Sequence, residues 1–182
     1  MFARQNSAGR LRTAIPNRMP ETVSSWAIPT VHEKADMAVQ TGTMHTGGCH
    51  CGNIRLRFST ELDPSQIEVR ACQCSFCTKH GARAVADPDG RLIISVKDAR
   101  RLRKYRFGLE TADYLICREC GVYAAAIAGE NDEARAILIV NALDDHRAFT
   151  GESVLVDFDW ENRAERQARR RLRWMPVEMS FA

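Results

Sequence analysis

The chain has 182 residues, 45% of them hydrophobic and 27% charged, with a net charge of +3. That length fits one domain with tails better than two, and a charge this mild does not by itself mark a nucleic-acid partner. No apolar run approaches the roughly 18–20 residues that span a bilayer, and the opening MFARQNSAGRLRTAIPNRMP lacks the apolar segment of a secretory signal, so the expected compartment is cytoplasmic, where thiols stay reduced.

Residues 1–20 carry Arg4, Arg10, Arg12 and Arg18 with no acidic residue before Glu21, together with Pro16 and Pro20. No helix or strand period holds there. Residues 1–43 are expected to be a disordered extension, with Met37 and Met44 as alternative starts. An organelle transit peptide and a binding arm are the competing readings.

From Gly47 onward the pattern is mostly β. Ile54, Leu56 and Phe58 alternate with Arg55 and Arg57, the period-two signature of a half-buried strand. Ile67, Val69 and Ala71 alternate likewise and run into Cys72. Further strand candidates are Leu92–Val96, Tyr114–Ile116, Val122–Ile127, Ile137–Val140 and Val154–Phe158. Turn signals separate them at Asp87-Pro88-Asp89-Gly90, Gly129-Glu130-Asn131-Asp132 and Asn141 through Asp145. Short strands with turns between them predict an antiparallel, mostly β domain. The stretch Glu161–Trp174 reads as a helix, with Ala164, Ala168 and Leu172 one turn apart and Glu165 one turn before Arg169. Its six arginines flank an apolar stripe too narrow for deep burial, which predicts a solvated surface helix; an anion-binding face is the sharper alternative.

The seven cysteines fall in three tight groups: Cys49-His50-Cys51, Cys72-Gln73-Cys74-Ser75-Phe76-Cys77 and Cys117-Arg118-Glu119-Cys120. Two thiolates one or two residues apart can bite one ion, because the intervening turn brings both sulfurs to one side. Gly52 and Gly121 each follow a pair, where such a knuckle often needs positive φ. Zinc takes four thiolate or imidazole ligands in a tetrahedron. Cys49/Cys51 with Cys117/Cys120 would complete a closed, structural site; Cys72, Cys74 and Cys77 would leave one position open for chemistry. Spacing alone does not force this division. One zinc with three spare thiols, or two zincs sharing a thiolate, stays open. A redox role for the Cys117/Cys120 pair lacks the βαβ context it needs. His50 should point away from a metal held by its neighbours. His80 is placed for a fourth ligand or a supporting role, and His45 and His146 carry no pattern.

Gly47-Gly48-Cys49-His50-Cys51-Gly52-Asn53-Ile54, the Cys72–Cys77 run with Gly81-Ala82, and Cys117-Arg118-Glu119-Cys120-Gly121 together resemble the glutathione-dependent formaldehyde-activating enzyme family, which includes a centromere-associated branch. The resemblance implies an Mss4-like fold of folded antiparallel sheets built around zinc, here with a C-terminal α-helix. It implies two zinc ions per chain: a structural one on Cys49, Cys51, Cys117 and Cys120, and a catalytic one on Cys72, Cys74 and Cys77. The implied activity adds glutathione, or a similar thiol, to formaldehyde, which is a carbon–sulfur lyase reaction run in reverse. The expected layout is a 1–43 extension, a formaldehyde-activating-enzyme-like domain over 44–160, and an Arg-rich helix and tail over 161–182.

Two segments depart from the family's pattern, Tyr105-Arg106-Phe107-Gly108 through Tyr114 and the C-terminal helix, and both bear on the substrate rather than on the metal sites. Three thiolates on Zn²⁺ leave a charge of −1, which suits an exogenous thiol as fourth ligand. Arg70, Lys79, His80 and Arg83 flank the triplet and are candidates to offset that charge or hold carboxylates. The competing reading from a different class is a non-catalytic zinc module that binds a partner, nucleic acid included, through its Arg-rich termini.

Overall fold

The Ile54, Leu56, Phe58 alternation produces the strand it predicts, with those three side chains at most 1% exposed and Arg55 and Arg57 turned to solvent. The structure, a computed structural model, describes residues 42–129 and 133–182. The expected N-terminal extension, apart from its last residues, lies outside them, as does the end of the turn at Gly129.

The described residues form eleven strands: β1 (Thr43–Gly48), β2 (Ile54–Thr60), β3 (Arg70–Cys72), β4 (Ala84–Val85), β5 (Arg91–Val96), β6 (Leu102–Tyr105), β7 (Asp113–Cys117), β8 (Tyr123–Ala128), β9 (Arg135–Ile139), β10 (Val154–Val156) and β11 (Met175–Phe181). Two α-helices join them, α1 (Ser75–Lys79) and α2 (Arg163–Arg173). The expected strands all overlap observed ones, whereas β1, β4, β6 and β11 were not foreseen. Ile67 and Val69 are buried as their alternation requires, but the strand proper begins only at Arg70.

One run of pairings orders β1-β2-β5-β11, and a second runs β6-β7-β8-β9-β4-β3-β10. They meet where Met175 and Pro176 of β11 pair with Ala136 and Arg135 of β9. Most pairings are antiparallel, as the turn-rich sequence predicts. Two are not: β11 runs parallel to β5 and β10 parallel to β3. Both involve strands reached by long connections rather than hairpins, and such connections allow either direction.

The C-terminus departs most from expectation. Residues 175–181 are not a tail but a strand lying between β5 and β9, with Met175 fully buried. Pro176 disguises it, since proline demotes a strand reading; here it stands where β11 has only a two-residue pairing with β9. The helix is real and is capped by Asn162, whose side chain accepts from Glu165 N while Glu165 reaches back. It docks inside out. Ala164, Ala168 and Leu172 of the predicted apolar stripe are exposed, Leu172 by 74%. The inward positions are Arg166, Arg169, Arg170 and Trp174, with Arg170 and Trp174 each only 5% exposed.

The main core packs β2, β5, β8 and β9 residues together with Phe149 and Met175. The β8 run Ala124-Ala125-Ala126 is wholly buried; these small side chains let layers approach on both faces, one of them carrying Trp174. The Leu143–Asp145 turn is tied to β1, where Asp144 N donates to Thr46 O and His45 Nδ1 lies 2.6 Å from Asp145 Oδ2. A Cβ on Gly47 would stand 2.2 Å from Ala142 O, so the close approach there requires glycine.

Candidate functional site

The four-cysteine group is built from two similar knuckles. After β1, Gly52 N donates to Cys49 O and Ile54 N donates to Cys49 Sγ; after β7, Gly121 N donates to Cys117 O and Cys117 N to Val122 O. Gly52 and Gly121 both adopt φ of +72°, the left-handed conformation the sequence assigned to them. All four sulfurs lie within 4.8 Å of one another, with Cys49–Cys51 at 3.7 Å and Cys51–Cys117 at 3.4 Å. A tetrahedron with zinc–sulfur bonds of 2.3 Å has edges of about 3.8 Å, whereas a disulfide needs about 2.05 Å. All seven cysteines are free thiols. The donor set therefore fits a zinc ion and no disulfide.

In the three-cysteine group, Cys72 ends β3, Cys74 caps α1 and Cys77 lies within α1. Cys74 Sγ accepts from Cys77 N, the N-cap arrangement of a helix start filled by sulfur. These sulfurs also fall within 4.8 Å of one another. The thiols share protons unevenly. A hydrogen bond from Cys77 pulls Cys72 down to about 6, while that bond and burial push Cys77 far up and burial raises Cys74. In the other group burial pushes Cys117 up to about 12 and raises Cys49. Burial opposes ionisation of Cys120 too, but hydrogen bonds from the N–H groups of Val122 and Cys51 and from two thiols bring it down to about 6.

The triplet opens into a cavity of about 240 Å³. Its walls hold the aromatic rings of Phe107, Tyr114, Tyr123, Phe158 and Trp174 and the guanidinium groups of Arg70, Arg166, Arg169 and Arg170, with Asp159 as the carboxylate. Both segments that depart from the family's pattern, 105–114 and the C-terminal helix, thus converge on the one cavity that contains the three cysteines.

The arginines of α2 differ in their compensation. Glu161, 6% exposed, accepts from Arg166 Nε at 3.2 Å and from Arg169 Nε and Nη2 at 2.5 and 2.9 Å. Arg169 also lies 3.6 Å over the Phe158 ring. Arg170 donates from Nη1 to Thr111 O and Oγ1 and lies over Trp174, but its Nε is buried without a partner. Burial pushes its pKa down to about 10. Arg70 Nε is likewise buried without a hydrogen bond, with Glu68 Oε1 at 3.6 Å.

Of the four cations that flank the triplet in sequence, only Arg70 lines the cavity. Arg83 donates to Ser153 Oγ and Phe149 O, and Lys79 is exposed. His80 stacks on Phe76 at 4.3 Å with Nδ1 beside Phe76 O, outside both cysteine groups. His50 is exposed. The residues that sequence reasoning missed are Tyr114, Tyr123, Phe158, Trp174 and the inward arginines. Tyr123 is 4% exposed and its hydroxyl is buried without a partner.

A mostly β domain carrying one closed group of four thiols and one open group of three belongs among the cysteine-clustered proteins whose sulfurs could hold metal ions. The model of the glutathione-dependent formaldehyde-activating enzyme family matches residues 44–154, and the chain belongs to that family. A solved Rhodobacter sphaeroides protein is 31% identical over 61% of this chain and 99% of its own, with a TM-score of 0.47. The family match ends before α2 and β11. No helix among the described residues is long and apolar enough to cross a membrane.

Proposed function

We propose that the protein is a zinc-dependent carbon–sulfur lyase of the S-(hydroxymethyl)glutathione synthase type, joining a glutathione-like thiol to formaldehyde or another small aldehyde. The observation that carries this reading is the asymmetry of the two cysteine groups: four thiols close on one another, while three open onto a walled cavity. Cys49, Cys51, Cys117 and Cys120 would hold a structural zinc. Cys72, Cys74 and Cys77 would hold a second, whose chemistry is to lower the pKa of an entering thiol and keep it nucleophilic. Three thiolates carry more negative charge than three neutral imidazoles, which favours a thiol over water as the incoming nucleophile.

In the reaction the thiol sulfur bonds to the aldehyde carbon, the carbonyl π pair moves to oxygen, and the proton lost by the thiol returns to that oxygen. Tyr123 suits the oxygen's needs. Burial raises its pKa well above 10, so the phenol stays neutral and can donate, and its hydroxyl has no hydrogen-bond partner among the described residues. Tyr114 beside it is held neutral by burial in the same way, at about 12. Phe107, Phe158 and Trp174 supply apolar walls to the cavity.

The partner-binding module keeps only Arg163, Arg171 and Arg173 on the outer face of α2, Arg173 within ion-pair distance of Glu68, because Arg166, Arg169 and Arg170 line the cavity. Thiols add to formaldehyde unaided, so the uncatalysed rate is the baseline for the test. Zinc-loaded protein should consume formaldehyde and glutathione well above that baseline, Cys74→Ser should return to it, and Tyr123→Phe should lose roughly a hundredfold in kcat. Consumption at the uncatalysed rate by the zinc-loaded protein would overturn the proposal.

A further inference from the structure

A helix normally buries its apolar stripe; α2 turns Arg166, Arg169 and Arg170 inward and exposes Ala164, Ala168 and Leu172. Desolvating a guanidinium is costly unless an anion compensates it. Glu161 compensates Arg166 and Arg169. Among the described residues no carboxylate lies within ion-pair distance of Arg170, although it is 95% buried on a 5% exposure. Its Thr111 and Trp174 contacts leave Nε unpartnered. Arg70, 8% exposed, reaches no carboxylate closer than Glu68 at 3.6 Å, and Glu68 is shared with Arg173. Two buried cations with unsatisfied donors therefore line the same small cavity as the three thiols. Phe107 and Trp174 supply apolar surface between these charged walls, and Asp159 is the one carboxylate among the lining residues against the four guanidinium groups, so the charge of the lining favours an anionic ligand.

Resting on the thiol reading above, we propose that α2, which lies outside the family-matched region, supplies a recognition wall in which Arg170 and Arg70 bind a carboxylate of the thiol cosubstrate. The pocket is thereby selective for acidic thiols over neutral or cationic ones. Guanidinium is the side chain best matched to a carboxylate, through paired N–H donors. The cavity's 240 Å³ corresponds to about eight waters at ~30 Å³ each. It takes a small mercapto acid whole, or the thiol-bearing end of a larger peptide whose remainder lies outside.

The test is isothermal titration of the zinc-loaded full chain with 3-mercaptopropionate, 2-mercaptoethanol and cysteamine, which share a thiol and differ in charge. The acid should bind at least about tenfold tighter than the neutral thiol, and cysteamine most weakly, as expected for a charge-assisted contact. Arg170→Gln should remove that preference by weakening the acid far more than 2-mercaptoethanol, and Arg170→Lys should restore part of it. Since Arg170 also anchors α2 to Thr111, Arg70→Gln serves as the second variant, because the Arg70 Nε makes no hydrogen bond to lose; it too should narrow the preference. Equal affinities for the three thiols in the wild type, or variants that weaken acid and neutral thiols in the same proportion, would overturn the arginine assignment while leaving thiol binding intact. Failure of every thiol to bind would overturn the thiol reading and this proposal together.

Discussion

Glu161 holds the arginine face of α2 in place, and Glu161→Gln tests how that inverted helix is stabilised. The carboxylate is 6% exposed and accepts three charged hydrogen bonds, one from Arg166 and two from Arg169. Hydrogen bonds to charged groups contribute about 1.5–3 kcal/mol each, and removing one partner of a buried pair costs about 3–5 kcal/mol. Both arginines keep some solvent access, their side chains being 16% and 20% exposed, so the expected loss is about 2–4 kcal/mol. For a domain of this size that corresponds to a fall in Tm of roughly 6–15 °C. It should appear as one cooperative transition, because β11 follows α2 directly and lies within the sheet.

The pH dependence fixes the cause. The Arg169 hydrogen bond, against the opposing effect of burial, holds the Glu161 pKa below the usual carboxylate value. A depressed carboxylate contributes its full stability above the unfolded-state pKa of about 4.3 and loses it as pH falls through the lower folded value. The difference between wild type and Glu161→Gln in urea denaturation should therefore stay constant from pH 8 to 5 and shrink only below about pH 4.5. A variant within 1 °C of wild type on the scale of about 6 °C or more expected, or a difference that already fades between pH 7 and 5, would refute this account of α2.

Three further outcomes follow from the fold and the cysteine groups. Reduced wild-type protein should carry two zinc ions by elemental analysis, Cys74→Ser should remain folded with one, and Cys117→Ser should unfold, since a structural zinc contributes on the order of 10 kcal/mol to folding; the reverse ranking in thermal melts would invert the assignment of the two sites. Truncation after Trp174 should abolish the cooperative melt, because β11 pairs with both β5 and β9; a folded truncated chain would show that the strand is dispensable. A chain begun at Gly42 should match the full chain in Tm and zinc content, as the core is drawn from residues 49–175, and a large loss in circular-dichroism melts would assign residues 1–41 a share of the stability.

The cysteine groups were legible because the chemistry is local. A Cys-x-Cys-Gly or Cys-x-x-Cys-Gly run encodes its own turn, and the glycines at +72° are where the spacing placed them. The strand at Ile54–Thr60 was legible because one face is wet and the other dry. What stayed hidden depends on partners distant in sequence. The narrow apolar stripe predicts a solvated surface helix, yet α2 leaves that stripe in solvent and turns Arg166, Arg169 and Arg170 toward the thiol-lined cavity, with Arg170 donating to Thr111 O. Pro176 masked β11, and the parallel pairings of β10 and β11 are set by long connections whose direction no local pattern records. Tyr123 stood in view within a predicted strand, but nothing in its neighbours foretold an unpartnered hydroxyl.

The central claim is that the three-cysteine group holds a metal that accepts a thiol from solution, and cobalt substitution tests it most directly. Co²⁺ in the full chain should report both groups through thiolate-to-metal charge-transfer bands, with the closed four-cysteine group contributing a constant background. Millimolar glutathione should intensify those bands as a fourth sulfur enters, and Cys77→Ser should abolish the change while leaving the background. A spectrum unmoved by glutathione, in protein shown to carry two cobalt ions, would contradict the account.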